Sequence, residues 1–236
     1  MKYGDVYLIP NVIAEGTQHQ VIPDHVRSAL VEIKDFLAED VRTARRYFSS
    51  LHLFPSIEAL HFEVLSKDTD ASTLDTLFTP VFEGRNLGIV SDAGCPGVAD
   101  PGAIAVKFAH EHGIRVKPLV GPSSLLLALM ASGLNGQRFT FHGYLPIEKG
   151  EFSKAVRELE KESRRNNQTQ VFIETPYRSD ATLAALLQAL RDDTLLSIAS
   201  DITSEKEFIL TCPVAKWKVQ PKKLGKVPTV YSLLAV

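Results

Sequence analysis

Cysteine is scarce: the chain has two in 236 residues, Cys95 and Cys212. Their positions match no metal-ligand spacing, so they read as two free thiols in a reducing compartment, and no metal centre is expected. Long apolar runs are also lacking. The most apolar segment, "LLLALMASGL" (125–134), is too short to span a bilayer, and "MKYGDVYLIPNV" at the N-terminus has no extended apolar stretch of the kind a secretion signal needs. A soluble, cytoplasmic protein is expected. Neither sign of charge prevails, with 26 Lys+Arg against 28 Asp+Glu and a formal net charge of -2. That balance excludes a global polycation while leaving room for a local basic groove. Two phosphate-binding loops are missing, the Gly-x-Gly-x-x-Gly and Gly-Lys-Ser/Thr types, which counts against dehydrogenase and kinase chemistry. No Gly-x-Ser-x-Gly elbow is present either. The seven histidines are scattered and form no cluster. Repeats and low-complexity segments are absent.

What is there alternates. "DVYLIP" reads as a strand stopped by proline. "DHVRSALVEIKDFLAED" has helical spacing, with Val26, Leu30, Ile33 and Leu37 on one face, although "FLAED" is compatible with a short strand. "RTARRYF" resumes a helix, "ALHFEVL" alternates weakly, and "ASTLDTLFTPVFEG" is a helix ending near Gly84. "NLGIVSD" (strand), "GAIAVKFAHEHG" (helix) and "IRVKPLVG" (strand) follow. In "PSSLLLALMASG" a helix is expected with Pro122 in its first turn and Ser123 and Ser124 near its unpaired amides. This alternation argues for a mostly parallel sheet with helices on both faces. Beyond Gly133 a second set follows, with strands in "RFTFHGYLP", "TQVFIETP" and "LLSIASDI". Helices separate them in "KGEFSKAVRELEKESRRN" and "RSDATLAALLQALRD". The ending, "EFILTCPVAKWKVQPKKLGKVPTVYSLLAV", is expected to form hairpins or edge strands because its prolines would interrupt interior ladders. The fold class is therefore α/β, with two α/β domains at 1–119 and 120–236. The turn "VGPSS" is the expected linker, beside a cleft.

In open α/β sheets, ligands collect beyond the carboxyl ends of strands. Two loops fall there. "SDAGCPGVADPG" (91–102) carries glycines at 94, 97 and 102 that let backbone approach a ligand, and Asp92 at the strand end can accept a hydrogen bond. In "VGPSS", Ser123 and Ser124 can donate to a carboxylate at a helix start. Each loop alone is equally consistent with a tight turn; two on consecutive strand ends favour a polar organic ligand. "AEDVRTARR" sets Glu39 and Asp40 beside Arg42, Arg45 and Arg46, whose spacing can put three guanidinium groups on one helix face toward phosphate. An ordinary solvated face is the competing reading. "IETPYRSD" places Glu174 and Arg178 around Pro176 at another strand end.

Taken together, "AEDVRTARR", "GIVSDAGCPGVADPG", "GIRVKPLVGPSSLLLALMASGL", "FTFHGYLP" and "VFIETPYRSDATLAALL" resemble the tetrapyrrole-methylase superfamily of S-adenosylmethionine-dependent methyltransferases. The resemblance spans roughly residues 5–205 and is closest to the branch that methylates the 2'-hydroxyl of a cytidine in small-subunit ribosomal RNA. It implies a homodimer of two-domain subunits, with S-adenosyl-L-methionine in the interdomain cleft. By that correspondence Pro10, Asp92, Ala93, Gly94 and Cys95 line the donor site. Ser123 and Ser124 hold its methionine part, and the strand end from Phe172 to Glu174 gives backbone contacts around its adenine. The block of Glu39, Asp40 and Arg42 is the catalytic candidate, Glu39 or Asp40 serving as base or orienting group. Arg45, Arg46, Pro176 and Arg178 fall on the substrate side.

The chain also departs from that branch. "PNVIAEGTQHQVIP" stands where a "Pro-x-Pro-Ile-Gly-Asn-Leu" loop is usual, "LHFEVLSKDTD" replaces a "Tyr/His-Glu-His-Asn" segment, and "SDIT" (200–203) replaces "Arg-Glu-Leu-Thr". The small C-terminal domain of many members has no counterpart in these 236 residues. The donor blocks are kept while acceptor-facing ones differ. The expectation is methyl transfer to an RNA ribose hydroxyl. Two alternatives stay open: transfer to a tetrapyrrole or other small molecule, and a weakly active paralogue that binds donor or RNA as a structural partner.

Overall fold

The computed structural model describes residues 2–220 and 222–235. The chain divides into two compact units, Met1–Ser123 and Ser124–Val236.

The first unit holds five strands: β1 (Val6–Ile9), β2 (Asp35–Ala38), β3 (His61–Val64), β4 (Leu87–Val90) and β5 (Val116–Pro118). Their order is β3-β2-β4-β1-β5, and every pairing is parallel. Six helices connect them: α1 (Gln18–Val21), α2 (Asp24–Leu30), α3 (Val41–Ser50), α4 (Ala71–Leu77), α5 (Thr79–Phe82) and α6 (Gly102–Glu111). Alternate strand residues feed two cores. Ile9, Phe36, Ala38 and Val90 pack with α2 and α3 through Val26, Leu30, Ala44 and Phe48. On the opposite face, Val6, Leu37, Leu87 and Ile89 meet Leu74, Phe78, Ala105 and Phe108 from α4, the α4–α5 junction and α6. Steps β1→β2→β3 carry their helices on one face and steps β3→β4→β5 on the other, as right-handed crossovers require.

One helix is shorter than the spacing predicts. α2 stops at Leu30, and Asp35 opens a fully buried strand. Leu37 then points into the opposite core from Val26, Leu30 and Ile33. The 3.6-residue match is coincidental at that position, because strand alternation has replaced helical periodicity.

The second unit begins with α7 (Ser124–Ser132). Pro122 therefore precedes the helix instead of occupying its first turn. A five-stranded mixed sheet follows in the order β6-β7-β10-β8-β9, built from β6 (Phe139–Tyr144), β7 (Thr169–Glu174), β8 (Leu195–Ser200), β9 (Phe208–Pro213) and β10 (Thr229–Leu234). The helices α8 (Lys149–Asn166), α9 (Ser179–Ala189) and α10 (Val214–Val219) complete it. Phe152, Val156, Leu183, Leu186 and Trp217 cover one face of the sheet, while Ala128 of α7 joins Val171, Ala199 and Val230 on the other.

The C-terminal stretch differs from expectation. β9 is an edge, but β10 lies between β7 and β8 and is buried at all six positions. Proline does not prevent this: Pro228 sits just before the ladder, Pro213 ends β9, and Pro221 lies outside the described residues. Between them the chain forms α10, anchored by Trp217, whose buried indole N–H donates to the Leu196 carbonyl at 2.9 Å. Among the described residues no helix is long and apolar enough to cross a membrane.

Candidate functional site

In the first unit, the carboxyl ends of β1, β4 and β5 are tied together by backbone and side-chain hydrogen bonds. Asn11, just past β1, is 2% exposed. Its amide N–H donates to the Gly94 carbonyl at 2.8 Å, and its Nδ2 donates to the carbonyls of Ser91 and Asp92 at 3.0 Å each. Its Oδ1 accepts from the Val12 amide at 2.7 Å. One asparagine thus welds the loop after β1 to the "SDAG" turn. Pro10 is held from two sides. The Tyr47 hydroxyl, kept neutral by burial, donates to its carbonyl at 2.8 Å, and Gly121 packs so closely that an added Cβ would lie 2.0 Å from the Pro10 Cβ. Gly121 is required for that approach.

The glycine-rich loop is equally constrained. Gly94 adopts a φ of +69°, and a Cβ there would meet the Pro122 carbonyl oxygen at 3.4 Å. The Cys95 thiol donates to that same carbonyl at 3.3 Å. Burial pushes its pKa up, so Cys95 is a neutral tether between the β4 and β5 loops. Asp100 Oδ1 accepts from the amides of Gly97 at 2.8 Å and Gly102 at 2.7 Å, fixing the entry to α6. Asp92 and Ala93 stay exposed at the tip. Ser123 and Ser124 are half-buried.

Carboxylates gather where β2 and β4 end. The pKa of Glu39 is raised, first by burial and then by repulsion from Asp92 and Asp100, with Lys67 opposing. Asp92 is also raised, by burial and then by repulsion from Asp40. Asp40 behaves differently. It is the N-cap of α3, accepting from the Thr43 amide at 2.6 Å, and these bonds lower its pKa. Of the two acids expected to act as base, Asp40 is spent on capping, whereas Glu39 is exposed and poised upward. Arg42, Arg45 and Arg46 all lie on the exposed side of α3, opposite Ala44, Tyr47 and Phe48. The Arg45 guanidinium sits 5.3 Å from the Phe62 ring centre, and Arg46 approaches Glu15 at 3.5 Å.

In the second unit, the residues "E-P-R" form a braced turn. Glu174 is buried. Its Oε1 accepts from the Thr175 amide at 2.8 Å and its Oε2 from the Thr182 hydroxyl at 2.8 Å, with Arg178 Nη2 at 3.5 Å. The carboxylate is saturated by its own turn, so Glu174 has only backbone to offer a ligand. Phe172 likewise buries its ring, stacked on Tyr231 at 5.4 Å. Its backbone lies where the β6–β7 ladder shifts register, between Phe141 and Tyr144. Bulges of this kind often flank binding sites.

Sequence reasoning missed Asn11, Asp100 and Lys67. Asn11 carried a usable signal, being an amide side chain directly after a strand-ending proline. Asp100 and Lys67 carried none, since only the folded loops bring them to Glu39.

The tetrapyrrole (corrin/porphyrin) methylase family model matches residues 12–217. The chain belongs to this family. It is accordingly a methyltransferase. Among relatives, the ribosomal RNA small subunit methyltransferase I of Escherichia coli O157:H7 is 30% identical over 90% of this chain and 70% of its own length. The protein of the same name from Xylella fastidiosa is 33% identical over 78% of this chain and 64% of its own. The chain thus spans about two thirds of the length of these relatives. The crystal structure of the methyltransferase CobJ superposes with a TM-score of 0.63, covering 100% of this chain and 95% of that one at 18% identity. That similarity carries the fold.

Proposed function

We propose that the protein transfers a methyl group from S-adenosyl-L-methionine to a ribose 2'-hydroxyl of small-subunit ribosomal RNA, acting as a homodimer. The acceptor follows the names of the relatives. The single structural observation that supports the reading is the Asn11–Gly94 weld beside the raised carboxyls of Glu39 and Asp92. The residues fit the donor. A rigid turn leaves Asp92 and Ala93 exposed, and the acidic groups around it favour a cationic ligand such as a sulfonium.

When bound, the donor supplies a methyl group on a positively charged sulfur, a leaving group already activated. The protein's work is alignment and proton removal. In the first unit, the exposed turn at Asp92 to Gly94, with Pro10 and Ser123, holds and orients the donor. Glu39 takes the proton from the ribose hydroxyl, because its raised pKa makes it a stronger base than an ordinary glutamate. Arg42 positions phosphate, with Arg45 and Arg46 on the same helix face, and Pro176 and Arg178 shape the substrate side of the braced turn. Leu126 and Met130, exposed on α7, offer an apolar face for the second subunit.

Incubating the protein with methyl-labelled donor and small-subunit RNA from cells lacking its gene should move label into RNA. Label transferred to a tetrapyrrole and withheld from RNA would overturn the acceptor assignment.

A further inference from the structure

The residues "KWKVQPKKLGK" (216–226) contain five lysines and no acid, in a chain where acids outnumber Lys and Arg elsewhere. The fold gathers several of them around one groove of the second unit. The groove, of about 600 Å³, has Leu183, Ala184 and Leu187 of α9 along its floor, with Lys218, Lys222 and Lys223 around it. Asp180, in the first turn of α9, also lines it, but its carboxylate is engaged. It accepts from the Leu224 amide at 2.7 Å and from the Gly225 amide at 3.3 Å. Those bonds lay the lysine-bearing loop across the start of α9. Lys218 is partly neutralised by Asp192 at 2.5 Å, and Lys222 rests over the Phe208 ring at 4.6 Å.

The strip continues to an aromatic. Tyr177, in the turn before α9, is 82% exposed, and the Lys226 Nζ stands 5.7 Å from its ring centre. An exposed ring beside a row of lysines combines the two elements that single-stranded nucleic acid needs, a stacking platform and a cationic track for the backbone.

We propose that this strip is a docking surface for the acceptor RNA. Lys222, Lys223 and Lys226 follow successive phosphates, and Tyr177 stacks on an unpaired base. The proposal rests on the reading of RNA as acceptor and adds a surface on the second unit to the arginines that α3 carries on the first. A lysine point charge tolerates any phosphate orientation, so the contact is independent of sequence and leaves the choice of nucleotide to the site itself.

The test is fluorescence anisotropy with a labelled single-stranded 20-nucleotide RNA, measured with the full chain at several salt concentrations. For single strands each phosphate contact contributes about 0.7 to the slope of log affinity against log salt. Lys222→Gln with Lys223→Gln should therefore lower the slope by about 1.4. Relative to 1 M salt, that corresponds to an affinity loss of about 25-fold at 0.1 M. The matching double arginine variant should restore binding. Tyr177→Ala should weaken binding at least about fivefold with an unchanged salt slope. Lys154→Gln with Lys161→Gln, which removes equal charge from α8, should change affinity less than about twofold. If the parent binds RNA while the Lys222/Lys223 pair loses no more than the α8 control, the strip is refuted and the RNA reading stands. If the parent binds no RNA at this salt, the acceptor reading falls and the strip falls with it.

Discussion

Replacing Asn11 by alanine removes three hydrogen bonds at one buried point. Two Nδ2 bonds of 3.0 Å to the Ser91 and Asp92 carbonyls disappear, together with the 2.7 Å bond accepted from Val12. At about 0.5–1.5 kcal/mol net for each bond, the loss is about 3 kcal/mol. For a chain of this length that lowers the melting temperature by roughly 6–12 °C in a thermal denaturation experiment. The loop after β1 then moves independently of the "SDAG" turn, and donor binding must restore the order. If half of the loss reappears there, about 1.4 kcal/mol, donor affinity falls about tenfold by calorimetry. Asn11→Asp sharpens the test. It keeps the shape but aims a carboxylate at two carbonyl oxygens, so at neutral pH it should destabilise more than alanine. One of its oxygens then faces the carbonyl oxygens of Ser91 and Asp92, so that carboxylate's folded pKa is raised. Stability is then present below the unfolded aspartate value and lost as pH rises through the folded one. The aspartate variant should therefore recover relative to alanine as pH falls. An aspartate no worse than alanine at neutral pH, or an alanine within about 0.5 kcal/mol of the parent, would refute the weld.

Other outcomes are expected. Gly94→Val forces a β-branched residue to a φ of +69°, a cost above the ~1–2 kcal/mol of an ordinary left-handed residue. A folded Gly94→Val protein should show donor affinity at least tenfold weaker by titration. Glu39→Gln should cut methyl transfer about 100-fold with donor affinity changed less than threefold, and the parent's rate should fall as pH drops through a midpoint above the ordinary value of 4.5 for glutamate. Because that pKa is raised by folding, the associated stability is present at low pH and lost as pH rises through the folded value. Glu39→Gln should therefore melt higher than the parent at pH 7, with the gap closing in acid. Sedimentation at micromolar concentration should give twice the 26.0 kDa chain mass, and Met130→Glu with Leu126→Glu should give the single mass. Arg42→Ala with Arg45→Ala should reduce the salt slope of RNA binding while leaving donor affinity intact.

Much of the fold was legible because its punctuation is local. "LGIV" running into "SDAGCPGVADPG" announces a buried strand and a glycine loop, and the structure places β4 and the entry to α6 there. Long-range choices were not legible. Leu37 fits a helical stripe from Val26 as well as it fits a strand, and only the second core beneath α6 decides between them. "TVYSLL" carries no sign that it is the middle of a sheet, because the prolines near it lie outside its ladder. In the site, Gly94 and Asp92 announce themselves by residue type. The saturation of Glu174 by Thr175, Thr182 and Arg178, and the capping duty of Asp40, depend on partners that only the folded turns supply.

The central claim is that the site methylates a ribose hydroxyl of RNA through Glu39. It is tested most directly by digesting small-subunit RNA to nucleosides after incubation with isotopically labelled donor, then locating the label by mass spectrometry. The account predicts a single 2'-O-methylated nucleoside with the parent protein and about one hundredth of that signal with Glu39→Gln. Label on a nucleobase, or undiminished ribose methylation by Glu39→Gln, would contradict it.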